Sequence, residues 1–330
     1  MAASVRSIAR IVLSDSRRKA LVMSSGPGIN LTCRVELGGS RFYNEDHAGR
    51  TTSFGFETVS EEEKGERVYK VFESVAPKYD VMNDAMSLGV HRLWKDTLLR
   101  VMNPLPGARL LDSAGGTGDI AFRFLNYTRS RHALQQRAAL RSQQTPSWQD
   151  ISRDYASGER AVKAESRVVV CDINKEMLTV GKEKAESHAG PFSAGVSWVV
   201  GDAEELPFDD DQFDVYTVAF GIRNVTHIEQ ALQEALRVLK PGGRFLCLEF
   251  SKVSNPLLSS IYDAYSFQVI PVLGEVIAGD WKSYQYLVES IRRFPDQETF
   301  KAMIEDAGFF RVQYFNLTGG VVAIHSGFKL

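Results

Sequence analysis

From residue 109 onward, short apolar runs alternate with amphipathic stretches of about ten to fifteen residues. The apolar runs at 109–114, 167–173, 195–202, 213–220 and 243–250 have the length and residue types of buried strands. Strands that alternate with helices in this way predict a parallel sheet with helices packed on both of its faces.

The end of the chain follows a different pattern. Two strand-like runs, 309–317 and 321–330, are separated only by Thr318, Gly319 and Gly320. So short a connection permits an antiparallel hairpin but not a parallel crossover, which needs a dozen residues or more. The sequence therefore predicts an α/β, Rossmann-like fold with a mostly parallel seven-stranded sheet ending in an antiparallel hairpin.

The first 50 residues differ in character from the rest. Their basic residues near the start are Arg6, Arg10, Arg17, Arg18 and Lys19, and they are set against a single acid in that stretch, Asp15. An arginine-rich, acid-poor, amphipathic start is typical of a mitochondrial transit peptide, although a disordered basic tail is the alternative. We predict that residues 1–50 form a transit peptide and disordered segment.

The remainder, 54–330, is predicted to be one domain. Helical periodicity precedes the first strand, with a capping box at 60–63, so residues 54–106 form an N-terminal helical cap. Residues 127–166 are polar and interrupt the first strand–helix–strand unit. We interpret them as a surface insertion, part helical and part disordered.

Composition excludes several classes of protein. A net charge of −2 argues against nucleic acid as the main partner. The three cysteines are far apart and form no metal-binding pair, so neither a disulfide nor a metal site is expected. No apolar segment is long enough to cross a bilayer as a helix.

A glycine-rich turn joins the first predicted strand to its helix, reading LLDSAGGTGD at 110–119. Glycine allows the backbone to approach a ligand, and this turn is where doubly wound sheets bind nucleotides. Its G-G-T-G order differs from the G-x-G-x-x-G of nicotinamide-binding proteins. The flanking Asp112 and Asp119 would repel a pyrophosphate but suit a ligand that carries an amino cation and a sulfonium.

Two more acids end the next two strands. Asp172 is placed to hold ribose hydroxyls, and Asp202 to accept from an adenine amino group. Each alone could be a turn residue or a helix cap. Acids at three successive strand ends on one sheet edge favour a nucleotide-like ligand.

Four longer motifs carry a family resemblance. They are YDVMN at 79–83 with Ser87, His91 and Trp94 after it, FGIRNV at 220–225, RVLKPGG at 237–243, and EFS at 249–251. Over about residues 54–330 the chain resembles the ubiquinone/menaquinone C-methyltransferase family.

The resemblance implies a class I S-adenosylmethionine-dependent methyltransferase fold, S-adenosyl-L-methionine as cofactor, and a polyprenyl benzoquinol substrate in ubiquinone biosynthesis. It also implies a peripheral place on the matrix side of the mitochondrial inner membrane, within a multiprotein ubiquinone-synthesis complex; a homodimer is left open. The expected cofactor-binding residues are Asp112, Gly115, Gly116, Thr117, Gly118, Asp172, Asp202 and Ala203. Two positions depart from the family pattern: Ser113 replaces an expected valine, and Ala219 replaces a serine whose contact is not carried over.

Methylation of a ring carbon requires the reduced quinol, because a quinone is too electron-poor. Phenols have pKa values near 10, so the site must favour a phenolate or supply a base. The candidate catalytic residues are Arg223, Asn224 and Tyr79, with Arg223 stabilising the phenolate or orienting a water. His91 is a possible base but is not included among them, since a packing role is at least as common. The apolar segment 257–279 is either a core helix, a lid with a groove for the prenyl tail, or a patch that faces the membrane or a partner.

Three alternatives stay open at this point. A nicotinamide-dependent oxidoreductase fits the fold alone, although the glycine order, the flanking acids and the final hairpin count against it. A non-catalytic scaffold of the ubiquinone-synthesis complex would have the same fold but would not catalyse a reaction. Within the methyltransferases, a menaquinone precursor is a second acceptor.

Overall fold

The computed structural model describes residues 50–142, 165–187 and 195–330. Two sheets are present in these ranges, a two-stranded hairpin and a seven-stranded sheet in the order β5-β4-β3-β6-β7-β9-β8. The strands are β1 (Thr51–Phe54), β2 (Glu57–Ser60), β3 (Arg109–Ser113), β4 (Arg167–Asp172), β5 (Val196–Val200), β6 (Phe213–Ala219), β7 (Leu239–Phe250), β8 (Phe310–Leu317) and β9 (Val322–Phe328).

The large sheet has the predicted topology. Strands β3 to β7 pair in parallel, whereas β9 runs antiparallel to both β7 and β8. The turn between β8 and β9 includes Gly319 at φ 68°, a conformation that glycine adopts without a Cβ penalty. The predicted fold class is confirmed.

Ten helices lie in the described ranges, and most of them flank the sheet. They are α1 (Glu61–Val75), α2 (Tyr79–Ser87), α3 (Val90–Met102), α4 (Asp119–Ser142), α5 (Lys175–Ser187), α6 (Ile228–Val238), α7 (Pro256–Gln268), α8 (Ile270–Leu273), α9 (Trp281–Arg293) and α10 (Gln297–Asp306). No described helix has both the length and the apolar content needed to span a bilayer.

The two faces of the sheet are each buried under a separate apolar cluster. Leu110 packs with Leu98 and Phe124 on one face, and the next residue, Leu111, packs with Tyr216 and Phe300 on the other. Alternate side chains of a strand point to opposite faces, so a strand covered on both sides is apolar throughout. This explains the uninterrupted apolar runs in the sequence.

The N-terminal cap begins with a hairpin, β1–β2, that the sequence pattern did not predict. Ser60 then caps α1, its hydroxyl accepting from the backbone N–H of Glu63 at 3.2 Å. A third apolar cluster joins α1 and α2 to α8 and α9, through Val75, Met82, Ile270 and Val288. The cap is thereby packed against the chain that follows β7.

The sequence also predicts a second capping box, at 226–229, opening the helix that follows, and this prediction is wrong. Helix α6 begins after His227, whose side chain makes no capping hydrogen bond. Its imidazole is held instead between Glu204 and Glu61, 2.7 Å and 3.1 Å away, and the N–H of Thr226 donates to Glu204. Contacts with other elements have displaced the local cap.

The proposed insertion at 127–166 is described only in part. Helix α4 continues to Ser142, well beyond the end near residue 125 that periodicity suggested. Residues 143–164 lie outside the described ranges, as does the predicted transit peptide up to residue 49.

Candidate active site

A cavity of about 280 Å³ lies at the carboxyl ends of the parallel strands. Loops after β3, β4, β5 and β6 form its floor, and α1 to α3 together with α7 to α9 supply the remaining walls. Ligands of open α/β sheets bind at this edge. All eleven predicted site residues except Gly118 line this one cavity.

The glycine turn after β3 is tightly constrained. A Cβ on Gly115 would lie 2.8 Å from the carbonyl oxygen of Asp112, and one on Gly116 would lie 2.9 Å from Met177 Cε. Ala114, between strand and glycines, has φ 49°, a left-handed conformation that costs energy for a residue with a side chain. The close packing of the turn therefore requires glycine at positions 115 and 116, both of which line the cavity.

Asp112 has an unused acceptor. Its Oδ1 accepts from the hydroxyl of Thr217 at 2.8 Å, while its buried Oδ2 has no hydrogen-bond partner among the described residues. Burial raises the pKa of Asp112 to about 7, although the Thr217 hydroxyl opposes that shift. A buried orphan acceptor on a cavity wall fits the amino cation of a ligand.

Asp172 organises the neighbouring loop. Its Oδ2 accepts from the N–H of Gly116 at 2.9 Å, and its Oδ1 accepts from the N–H of Asn174 at 2.8 Å. Burial raises the pKa of Asp172 to about 6, against the effect of these two donors. A carboxylate has about four acceptor positions, so two remain for ribose hydroxyls.

The remaining cofactor candidates complete the same edge. Asp202 is exposed, with Oδ1 accepting from the N–H of Glu204, and Ala203 follows it on the cavity wall. The hydroxyl of Thr117 donates to Asp80 of α2 at 3.4 Å, which ties the glycine turn to the cap. A Cβ on Gly118 would lie only 2.7 Å from the ring of Trp198, so this glycine serves the packing of the turn rather than the cavity.

The acids that flank the glycine turn differ in their surroundings. Asp119 is already neutralised, because Lys95 and Arg123 both donate to its carboxylate at 2.8 Å. It is therefore Asp112, and not the pair, that offers a free carboxylate oxygen to a cation. Ser113 is buried and does not line the cavity, so its hydroxyl is not presented to a ligand.

Arg223 and Asn224 lie in a short helical turn after β6. Arg223 is only 5% exposed and pairs with the buried Glu249, Nη1 to Oε1 at 3.1 Å. The Oδ1 of Asn224 accepts from the hydroxyl of Tyr286 at 3.1 Å, and its buried Nδ2 has no partner among the described residues. Arg223 thus supplies a fixed positive charge, and Asn224 supplies a free donor.

Tyr79 begins α2 and is half-buried on the cavity wall. Its ring packs against the third apolar cluster, the one that joins the cap to α8 and α9. Tyr79 therefore packs against this cluster and also lines the cavity, and its catalytic role stays a prediction.

Sequence reasoning missed an aromatic wall of the cavity. Phe220 lies 5.0 Å from Phe250 and 6.2 Å from Trp94, measured between ring centroids. Phe220 has φ 60°, a second strained residue at a strand end beside the ligand cavity. The glycine that follows it in the sequence could have indicated a close approach of two loops here, since a Cβ on Gly221 would lie 2.5 Å from that of Ala114.

The fold and the site define an S-adenosylmethionine-dependent methyltransferase, and comparison with known proteins identifies the family. The model of the ubiE/COQ5 methyltransferase family matches residues 58–329, and the chain belongs to this family. The nicotinamide oxidoreductase alternative is thereby set aside.

Individual relatives are similar over nearly the whole chain. The mitochondrial 2-methoxy-6-polyprenyl-1,4-benzoquinol methylase of Danio rerio is 72% identical over 330 residues, covering 100% of both chains. The protein of that name from Homo sapiens is 68% identical over 307 residues, covering 93% of this chain and 91% of its own. A solved S-adenosylmethionine-dependent methyltransferase from Aquifex aeolicus has 14% identity and a TM-score of 0.44, covering 72% of this chain and 89% of its own.

The methyl donor of this enzyme is S-adenosylmethionine, and the residues present fit it. The orphan Oδ2 of Asp112 suits its amino cation, Gly115 and Gly116 line the cavity beside it, and Asp172 keeps spare acceptor positions. Among the described residues, no group of three potential ligands gathers in a way that could hold a metal ion.

The affinity for S-adenosylmethionine is expected to rise roughly tenfold between about pH 6 and about pH 8 through Asp112. Its pKa is about 7 in the folded protein, so rising pH ionises it, and the ionised form attracts the cation. Titration calorimetry of the wild type and Asp112→Asn would measure this. The variant should bind more weakly and lack that part of the pH dependence, including its proton release. Identical pH profiles for the two proteins would contradict the assignment.

Proposed function

We propose that this protein transfers a methyl group from S-adenosylmethionine to a ring carbon of a 2-methoxy-6-polyprenyl-1,4-benzoquinol, a step of ubiquinone biosynthesis in the mitochondrion. The observation that carries the proposal is the full-length identity of 72% to a protein named for that activity. The cavity supports it, because it joins a donor site to an aromatic wall with one fixed cation and one free amide donor.

At the donor end, Asp172 is proposed to bind the ribose hydroxyls, and Asp202 with Ala203 the adenine. Thr117 and the glycine turn would lie along the rest of the donor, with Asp112 near its amino group. The bound donor supplies an electrophilic methyl group on a sulfonium centre. These residues only orient it, and orientation of reacting groups can contribute a large part of a rate enhancement.

At the acceptor end, the residues are proposed to favour negative charge on a quinol oxygen. Asn224 Nδ2 is a buried donor without a partner among the described residues, so it would donate to that oxygen. Arg223 lies nearby, with its guanidinium 5.6 Å above the ring of Phe250, and acts on that oxygen as the positive half of a buried ion pair with Glu249. Tyr79 would contact the ring from the cap.

The prenyl tail is proposed to leave along α7 and α8. On their inner side, Tyr262, Tyr265 and Ile270 line the cavity. On the same helix α7, Leu257 and Ile261 are 74% and 60% exposed, and exposed apolar side chains of this kind suit contact with a membrane or a partner. This arrangement supports peripheral attachment on the matrix side of the inner membrane, in contact with the ubiquinone-synthesis complex.

The direct test uses the full chain, labelled S-adenosylmethionine and a short-chain methoxy-prenyl benzoquinol that is kept reduced. We expect mass spectrometry to find one added methyl group on a ring carbon, and no addition to the oxidised quinone. A menaquinone precursor serves as the competing acceptor. Cofactor binding without methylation of the benzoquinol would count against the proposed substrate.

Replacing Asn224 with alanine is expected to lower kcat/KM for the quinol by about 10- to 100-fold, the value of one hydrogen bond to a charged oxygen. Affinity for S-adenosylmethionine should stay within about threefold of the wild type, because the donor side is untouched. Steady-state kinetics and calorimetry measure the two effects. Equal losses in both would show that Asn224 supports the fold and does not contact the acceptor.

A further inference from the structure

Methylation at a ring carbon releases a proton, and a group in the cavity must accept it. The ring carbon gains the methyl group while still bonded to hydrogen, and aromaticity returns only when that proton leaves. Arg223 cannot accept it, because arginine stays charged and this one is paired with Glu249. The question of which side chain accepts this proton rests on the proposed function, because methylation of a ring carbon is the reaction that releases it.

Most titratable groups on the cavity wall are unsuited to this task. Glu204 is bonded to His227, and Asp119 to Lys95 and Arg123. Burial raises the pKa of four lining tyrosines, so that they remain protonated: Tyr262, Tyr265, Tyr284 and Tyr286. The acids Asp112, Asp172 and Asp202 belong to the donor site.

His91 differs from all of these. It lies on α3, is 12% exposed at its side chain, and lines the cavity one turn before Trp94 of the aromatic wall. Its next-turn neighbour Lys95 donates to Asp119, which follows the glycine turn. His91 is therefore placed between the donor end of the cavity and the aromatic wall where a quinol ring would stack.

The hydrogen bonds around His91 define its tautomer. The hydroxyl of Ser87 donates to the carbonyl of Asn83 at 2.7 Å, which uses its one hydrogen. The same oxygen accepts from the backbone N–H of His91 at 3.3 Å, and we assign His91 Nδ1, 2.7 Å away, as its second donor. The lone pair is left on Nε2, which makes no hydrogen bond to a described residue; its nearest charged group is Asp84 Oδ1 at 3.9 Å.

The surrounding charges keep this imidazole neutral. Burial, followed by the charge of Lys95, lowers the pKa of His91. Asp84 and Asp119 oppose that shift, and Arg92 adds to it. A neutral imidazole at physiological pH can accept a proton, and Asp84, whose carboxylate also pairs with Arg92, lies 3.9 Å from the Nε2 that would carry it.

We infer that His91 is the general base of the methyl transfer, accepting on Nε2 the proton of the methylated ring carbon. The new carbon–carbon bond forms with the ring's π electrons as the carbon–sulfur bond breaks towards sulfur. The electrons of the carbon–hydrogen bond then return to the ring, and the proton passes to His91. Ser87 is a positioning residue that fixes the tautomer.

The test is His91→Asn in the full chain, because the asparagine amide can keep the bond to Ser87 while Nε2 is lost. Single-turnover methylation of the reduced short-chain quinol is expected to slow by about 10²- to 10⁴-fold. Affinity for S-adenosylhomocysteine should not change. Deuterium on the methylated ring carbon should slow the variant, in which proton removal limits the rate, more than the wild type.

The wild-type rate should fall at acidic pH with a pKa below about 6.5, and the variant should lack that fall. His132→Asn, on α4 and away from the cavity lining, is the matched control.

The outcomes separate the two proposals. No product from the wild type would overturn the proposed function. Product from the wild type with an unchanged rate and pH profile in His91→Asn would overturn only the role of His91. If that variant does not fold, Ser87→Ala decides: a loss of about fivefold, equal to one hydrogen bond, together with a shift of the pH at which the rate falls, supports the positioning of His91 by Ser87, and an unchanged pH profile overturns it.

Discussion

Replacing Glu249 with alanine is expected to lower the free energy of unfolding by about 3–5 kcal/mol, among the largest effects of any single substitution in this chain. Glu249 is 1% exposed, and its Oε1 lies 3.1 Å from Nη1 of Arg223, itself 5% exposed. The same carboxylate accepts from the backbone N–H of Phe250 at 2.8 Å. Without it, a buried guanidinium and a backbone donor both lose their acceptor, and the cost is that of an uncompensated buried charge.

Denaturant unfolding of wild type and variant measures this difference. Glu73→Ala, at an exposed position of α1, is the control and should stay within about 0.5 kcal/mol of the wild type. The double variant Arg223→Met with Glu249→Met should recover most of the loss, because two apolar side chains leave no unpaired charge. If Glu249→Ala lowers the free energy of unfolding by less than about 1 kcal/mol, water reaches Arg223, and the ion pair is not excluded from solvent.

The sheet could be predicted because its signals are local. Uninterrupted apolar runs reflect burial on both faces, as Leu110 and Leu111 demonstrate by packing into different clusters. The three-residue connection at Thr318–Gly320 excludes a crossover by length alone. Neither inference needs knowledge of which residues meet in space.

The missed elements depend on distant partners. Strands β1 and β2 are short and partly exposed, and Phe54 of β1 stacks on Tyr286 with ring centroids 4.1 Å apart, over two hundred positions along the chain. The capping box at α6 failed for the same reason, since Glu204 accepts from the backbone N–H of Thr226, the group that Glu229 would have bonded in the box. Local propensity is overridden where a tertiary contact is stronger.

For the candidate site, the sequence predicted which residues lie close together but not which hydrogen bonds and ion pairs they form. Strand-end positions bring Asp112, Asp172 and Asp202 to one edge by topology. Which carboxylate is free is decided by neighbours that sequence does not reveal: Lys95 neutralises Asp119, while Asp112 keeps an open oxygen. The tautomer of His91 likewise depends on where a single serine hydrogen points.

Replacing Asp172 with alanine is expected to weaken binding of S-adenosylmethionine by about 10²- to 10³-fold. Two charge-assisted hydrogen bonds to ribose hydroxyls would be lost, each contributing about 1.5–3 kcal/mol before the variant relaxes. The N–H groups of Gly116 and Asn174 would also lose their acceptors at 2.9 Å and 2.8 Å, which loosens the glycine turn that holds the donor. Because the acceptor end does not contact Asp172, quinol binding should be nearly unaffected.

Calorimetric titration with S-adenosylmethionine and S-adenosylhomocysteine measures the loss, which should be similar for both because they share the ribose. Asp306→Ala, at the exposed end of α10, is the control and should bind both ligands as the wild type does. Asp172→Asn separates the two causes: it keeps the side-chain shape but has one acceptor oxygen, so it should lie between wild type and alanine. If the asparagine variant binds as tightly as the wild type, the carboxylate charge makes no contribution, and Asp172 acts through the loop alone.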